Sequence, residues 1–364
     1  MPLAIAAIVA LAPSASAATS GTRAALPRPA FGAHVHAVWP QYTDAQRRAV
    51  IAELAAGGVR WLRIDMMWSF AEPSPGADDP VTYHRLDVAL DEAQRHGMSA
   101  LVVVFGTPNW ANGGRGTVAP PTDPAAFARF ADRLAQRFRG RVAAWEVWNE
   151  PNWPRFWSGS VDEYVALLKA AYPAFKAGDP AARVVFGGLA GNDVPWIRRA
   201  YDLGAKGSFD ALATHVYTGP SDAPPENDWN YAATAAVRAE MLRRNDAATP
   251  IWLTEFGWSA HPNTGEEGPG DRGVTEEQQA DYLERALELA GSRYPYVTHM
   301  FWYMERDVSY WNAHEDSFGL LRNDLSHKPA FEAVRSILAA APATAVVTES
   351  SLPLPLGSAH QLVA

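Results

Sequence analysis

One pattern recurs eight times between residues 31 and 340: a short apolar run, a loop, then a stretch whose apolar residues return every three or four positions. The apolar runs are 31–36, 59–65, 99–106, 142–149, 183–187, 209–217, 250–257 and 297–303. They are mostly continuous rather than alternating, as strands buried on both faces require. The helical stretches are 43–56, 83–96, 124–139, 161–177, 194–203, 229–245, 275–292 and 329–338, with Phe127, Phe130, Ala131, Leu134 and Phe138 marking one apolar stripe. Thr43 and Asp44 suit the first helix's start, and Gly57-Gly58 and Gly97 suit the ends of the first two. Eight such units predict an α/β fold with one domain, a closed (β/α)8 TIM barrel. A doubly wound open sheet is the alternative. It would carry a glycine-rich turn after its first strand, where Gly32-Ala33-His34-Val35-His36 stands instead.

The ends fall outside this pattern. Residues 2–12 are apolar and lead into Pro13-Ser14-Ala15-Ser16-Ala17, which reads as a signal peptide over 1–17 with an Ala-x-Ala cleavage site. The run is too short to span a bilayer. The first basic residue is Arg23, so the usual positive start is missing and a truncated start is expected. Residues 18–30 read as an N-terminal extension and 341–364, rich in Ala, Pro, Ser and Thr, as a disordered tail. The expectation is a secreted, monomeric protein, free of the membrane once cleaved.

Composition removes several classes of function. The net charge is −9, with 31 Lys+Arg against 40 Asp+Glu, and a nucleic-acid or anionic-membrane partner wants a cationic face. There is no cysteine, which excludes disulfides, thiolate metal sites and cysteine nucleophiles. No cofactor is expected.

In such barrels the working residues stand at the C-terminal ends of strands. Those ends offer His34, His36, Arg63, Asp65, Trp110, Asn149, Glu150, His215, Tyr217, Glu255 and Trp302. Two carry a carboxylate among aromatics, in Trp145-Glu146-Val147-Trp148-Asn149-Glu150-Pro151-Asn152 and in Trp252-Leu253-Thr254-Glu255-Phe256-Gly257-Trp258. Strands four and seven face each other across the mouth, and an opposed carboxylate pair is what glycosidic cleavage needs. The expected partner is therefore a carbohydrate, a polysaccharide or oligosaccharide. His34 and His36 read as sugar-bonding or packing groups. A metal pair there would want histidines on strands five and six and an aspartate on eight. Strand five ends in Val185-Phe186-Gly187-Gly188, and strand eight in Trp302-Tyr303-Met304.

On Asn149-Glu150-Pro151, Thr254-Glu255-Phe256-Gly257, His215-Val216-Tyr217 and Trp302, the sequence resembles clan A glycoside hydrolases, the 4/7 superfamily. It is most like family 39 and family-5-like cellulases, with bacterial exopolysaccharide endoglycosidases among similar members. The resemblance implies a retaining glycosidase with Glu150 as acid/base, Glu255 as nucleophile and carboxyls ~5 Å apart. It also implies that Asn149 meets the sugar 2-hydroxyl, Tyr217 hydrogen-bonds Glu255 and Arg63 keeps Glu255 ionised. His215 then lines the −1 subsite, Trp302 floors it, and Trp110 joins the substrate contacts. Family 39 xylosidases usually continue into a β-sandwich, for which the residues after the eighth helix leave no room, so their substrate is not carried over.

Glu146 reads as a buried partner of Arg63, and Glu305 and Asp307 as candidates for substrate polar groups. Of the 14 tryptophans, Trp61, Trp145 and Trp252 read as core. Half of Trp39, Trp68, Trp110, Trp153, Trp157 and Trp311 are expected to meet sugar faces. An acidic loop over 264–271 reads as rim, and long loops at 68–82, 219–228 and 259–274 suggest a walled groove and endo action.

Overall fold

The structure, a computed structural model, describes residues 28–227 and 229–340. The expected signal peptide and tail, and the extension up to residue 27, lie outside the described residues. Eight strands, β1 (Ala30–Val35), β2 (Trp61–Met67), β3 (Ser99–Phe105), β4 (Ala144–Asn149), β5 (Arg183–Ala190), β6 (Leu212–His215), β7 (Ile251–Phe256) and β8 (Val297–Trp302), run parallel in sequence order. β8 pairs with β1 through Ala30–His299 and Gly32–Phe301, closing the barrel.

Helices Asp44–Ala56, Pro80–Arg95, Pro124–Arg137, Val161–Gly178, Val194–Asp202, Thr234–Arg243, Glu276–Arg293 and Pro329–Ala340 return the chain to the next strand or close the barrel outside. Thr43, Ser160 and Thr275 form capping boxes with Gln46, Glu163 and Gln278. The second helix starts three residues before its expected start, because Asp79 caps it and Pro80 takes the first helical position. The expected helix over 229–245 is divided into Trp229–Ala232 and Thr234–Arg243.

The barrel interior has two unlike layers. The lower one is apolar: Leu101, Val185, Ala213, Trp252 and Phe301 pack together with Trp61 against them, and the His299 ring stacks on Trp252 at 3.9 Å. The upper layer is polar and charged, yet equally closed to solvent: His34, Arg63, Glu146 and His215 are all buried. Polar groups held so deep must satisfy one another.

Candidate active site

Arg63 on β2 is the hub of the upper layer and is 0% exposed. Its Nε donates to Glu146 Oε2 at 2.7 Å, Nη2 to Asn149 Oδ1 at 2.8 Å and Nη1 to Glu255 Oε1 at 2.5 Å. Nη1 also lies 2.8 Å from His34 Nδ1. One guanidinium thus ties β1, β2, β4 and β7 together, using the planar fork that arginine alone offers. Glu146 is tied in turn, accepting from Gly188 N–H and Thr254 Oγ1, each at 2.9 Å.

Glu255 also accepts from Tyr217 Oη at 2.7 Å. Burial alone pushes its carboxyl up. The charges of His215 and Arg63 and the Tyr217 hydrogen bond overcome this and hold it ionised, down to about 2. Glu150 has the opposite balance. Burial and the Glu255 charge raise it, against the lowering effect of His215 and Arg63. Oxygens of the two carboxylates lie within 4.8 Å of each other. His215 stands between them, with Nδ1 2.9 Å from Glu150 Oε1 and 3.6 Å from Glu255 Oε2. Burial lowers His215, but the two glutamates outweigh it and raise its pKa. The ring fits because residue 188 is glycine: a Cβ there would run into His215 Nε2 and come within 2.5 Å of Thr254 Oγ1.

A strict period of two would put Glu146, Trp148 and Glu150 on one face of β4. Instead Trp148 and Glu150 take φ values of +74° and +44°, in the left-handed region that side chains rarely adopt. The twist sends Trp148 away from the cavity against Trp157, where Nε1 donates to Phe156 O. Consecutive Asn149 and Glu150 both reach the cavity. Because Arg63 can only donate, Asn149 must present its oxygen to it, leaving the amide NH2 as the donor for a sugar hydroxyl.

The same reasoning settles the histidine pair. Arg63 donates to His34 Nδ1, so the proton of neutral His34 sits on Nε2, 3.2 Å from Asp65 Oδ1. The geometric cluster His34–His36–Asp65 therefore lacks the free His34 Nε2 lone pair that a metal needs. Burial would raise Asp65, but His34 and Arg63 hold it ionised, well below the usual range. His36 Nδ1 lies 3.1 Å from Glu305 Oε2, and Tyr42 Oη donates to Glu305 Oε1 at 2.5 Å. Both histidines line the cavity.

Five expectations are corrected. His215 is fully buried against the two glutamates, outside the cavity lining, and acts on the carboxylates rather than on substrate. Trp302 is buried, its Nε1 donating to Phe318 O at 2.8 Å, and the next residue, Tyr303, lines the cavity in its place. Trp110 packs against Trp68 and donates to Glu72 O at 2.9 Å, outside the cavity lining. Glu305 is fully buried beneath His36 and supports it rather than facing substrate. Asp307 is taken by Lys328 and Gly319 N–H. Sequence reasoning placed Asp65 at a strand end, two residues after Arg63, but gave it no role, and the structure sets it in the cavity lining. It missed Tyr303, which one more step along β8 would have found.

The cavity has a volume of about 1150 Å³, and among the loop tryptophans Trp39, Trp153 and Trp311 line it, whereas Trp68 and Trp157 are buried. Arg155, after β4, and Glu315, after β8, approach to 3.8 Å between loops on opposite sides of the barrel.

A family model described as Cellulase (glycosyl hydrolase family 5) matches residues 20–306. The chain is similar to a beta-xylosidase of Caldicellulosiruptor saccharolyticus, 28% identical over 228 residues, covering 56% of this chain and 45% of that protein. A beta-xylosidase of Geobacillus stearothermophilus is 26% identical over 246 residues, covering 60% and 47%. The chain thus spans about half the length of these curated relatives. A family 39 glycoside hydrolase from the gut symbiont Bacteroides cellulosilyticus WH2 superposes with a TM-score of 0.70 at 24% identity, covering 86% of this chain and 64% of that one. A GH5_18 protein from Streptomyces cattleya in complex with Manb1-4GlcNAc gives 0.68 at 20% identity, covering 85% and 80%. At these identities the structures share the fold.

Proposed function

Because the chain belongs to the cellulase family, glycosyl hydrolase family 5, we propose that it is a secreted, retaining glycoside hydrolase. Its substrate is a β-linked poly- or oligosaccharide cut at internal bonds. The observation that carries this reading is the approach of the Glu150 and Glu255 carboxylates to within 4.8 Å. Inverting enzymes hold a water between theirs and need ~6.5–9.5 Å, whereas direct attack by one carboxylate needs ~5 Å.

Glu255, ionised and aimed by Arg63 and Tyr217, attacks the anomeric carbon. Glu150, kept protonated by burial and by the Glu255 charge, gives its proton to the departing oxygen. The ester formed at Glu255 removes that negative charge, which lowers the Glu150 pKa and turns the acid into a base. Glu150 then takes a proton from water, the water attacks the same carbon, and Glu255 leaves as a carboxylate. Asn149 and Asp65 offer a donor and an acceptor to glycone hydroxyls. Support for endo action comes from cavity-lining aromatic rings carried by loops from different parts of the barrel, Trp39 after β1 and Trp311 after β8, in contact with each other, and Trp153 after β4.

The test is digestion of a panel of β-linked polysaccharides, with product masses and anomeric configuration followed by NMR. Products should first appear as oligomers with the β configuration. Glu150→Gln and Glu255→Gln should each lose at least ~10³-fold in rate; wild-type rates in either variant, or α products first, would sink the reading.

A further inference from the structure

The Arg155–Glu315 pair joins loops that stand opposite one another. β4 and β8 lie four strands apart in a ring of eight, so a contact between the loops that follow them crosses the mouth of the barrel. Both residues line the same cavity as Glu150 and Glu255. Burial raises the Glu315 carboxyl, Arg155 opposes this, and the Glu255 charge adds to it, so Glu315 looks toward the nucleophile.

The two ends are seated unequally. Glu315 lies in the short helix Ala313–Asp316, where its N–H donates to Asn312 Oδ1 at 3.0 Å. That helix is fastened to the loop after β7: Ser259 Oγ donates to His314 O at 2.6 Å, and His261 Nε2 lies 3.4 Å from His314 Nδ1. Arg155 follows Glu150 by five residues, on a turn closed by Trp153 N–H to Glu150 O at 2.9 Å and Trp157 N–H to Trp153 O at 3.0 Å. Its guanidinium lies 5.8 Å from the Trp153 ring and 5.9 Å from Phe156. Glu315 is its one carboxylate partner among the described residues. The Arg155 side chain is 59% exposed and that of Glu315 37%, so water competes for both ends and the contact opens readily.

An open groove takes a polymer from the side, at any point along the chain. A bridge across the groove turns it into a passage that a chain end or a short glycoside enters and a chain interior does not. Resting on the glycosidase reading, we propose that Arg155 and Glu315 are specificity-determining residues. Closed, their bridge bars the interior of a long glycan from the carboxylates; open, it lets the chain be laid in for internal cleavage. The pair sets which substrates reach Glu150 and Glu255, not how those substrates react.

The probes are neutral β-linked polymers of the gluco, xylo and manno series and the matching aryl glycosides. Arg155→Gln and Glu315→Gln should each raise kcat/KM on the polymer about two- to fivefold, the range that an exposed ion pair can hold back, and leave the aryl glycoside within about 1.5-fold. Salt at about 0.5 M should give the wild type the same rise on the polymer and give the variants none. The chain has no cysteine, so Arg155→Cys/Glu315→Cys joined by a short bismaleimide locks the bridge. The locked protein should lose polymer cleavage at least ~10-fold and keep its aryl-glycoside rate. A polymer rate that falls or stays level in the two glutamine variants, or an aryl-glycoside rate that changes with it, would overturn the bridge. So would a locked protein that cuts polymer at the unlocked rate, or a cysteine pair that the bismaleimide fails to join. A wild-type protein inert toward every polymer and aryl glycoside would instead sink the glycosidase reading itself.

Discussion

Replacing Arg63 by Met separates what the hub does for the fold from what it does for the nucleophile. The substitution keeps an unbranched apolar stem and removes the guanidinium, with the charge that faces Glu146 and Glu255. Glu146 is 0% exposed, so it is left as an uncompensated charge in the barrel. Breaking a buried pair from one side costs about 3–5 kcal/mol. At ~2–3 °C per kcal/mol for a domain of this size, the melting temperature should fall by about 10 °C. The double variant Arg63→Met/Glu146→Gln removes the orphan charge while still offering an oxygen to Gly188 and Thr254, and should recover most of that loss. Activity should not follow. Glu255 still lacks its 2.5 Å guanidinium contact, a charge-assisted bond worth about 1.5–3 kcal/mol, so kcat/KM should stay down by roughly 10- to 100-fold. Calorimetry and steady-state kinetics on the same samples read both. A single variant that melts with the wild type, or a double variant that regains activity, would refute the reasoning.

Four further outcomes follow from the site. The kcat/KM profile against pH should have its acid limb far below 4.5, set by Glu255 near 2, and an alkaline limb above the usual carboxylate range, set by Glu150. Tyr217→Phe should move the acid limb up by about one unit, since a charge-assisted bond of ~1.5 kcal/mol is lost. In acid, the contribution of Glu255 to stability should be complete above pH ~4.5 and disappear as pH falls toward 2, because its folded pKa is the lower one; urea melts across that window would show it. Trp110→Phe should lower stability by about 1 kcal/mol through the lost bond to Glu72 O and leave KM within twofold, whereas a tenfold rise in KM would return Trp110 to the cleft.

The barrel was legible because its two periods, continuous apolar runs and three-four helical spacing, do not depend on distant contacts. The carboxylates were legible for a related reason: strand ends converge on one mouth whatever the loops do. What escaped depended on single dihedrals and on loop paths. Trp148 leaves the face its position suggests because of one positive φ, and that turn brings Asn149 and Glu150 inward together. Trp302 and Tyr303 differ by one step in strand phase, which decides between core and cavity. Trp110 and Trp153 both follow strands, yet only the path of each loop settles which ring faces the cleft.

Gly188 shows that part of the site is an omission. The imidazole of His215 fills the volume that any other residue at 188 would claim, while the Gly188 N–H anchors Glu146. The two positions behave as one component divided between neighbouring strands, so neither can be redesigned alone. Transplanting the two glutamates, the arginine and the histidine into another barrel would fail wherever the fifth strand carries a methyl group at this height.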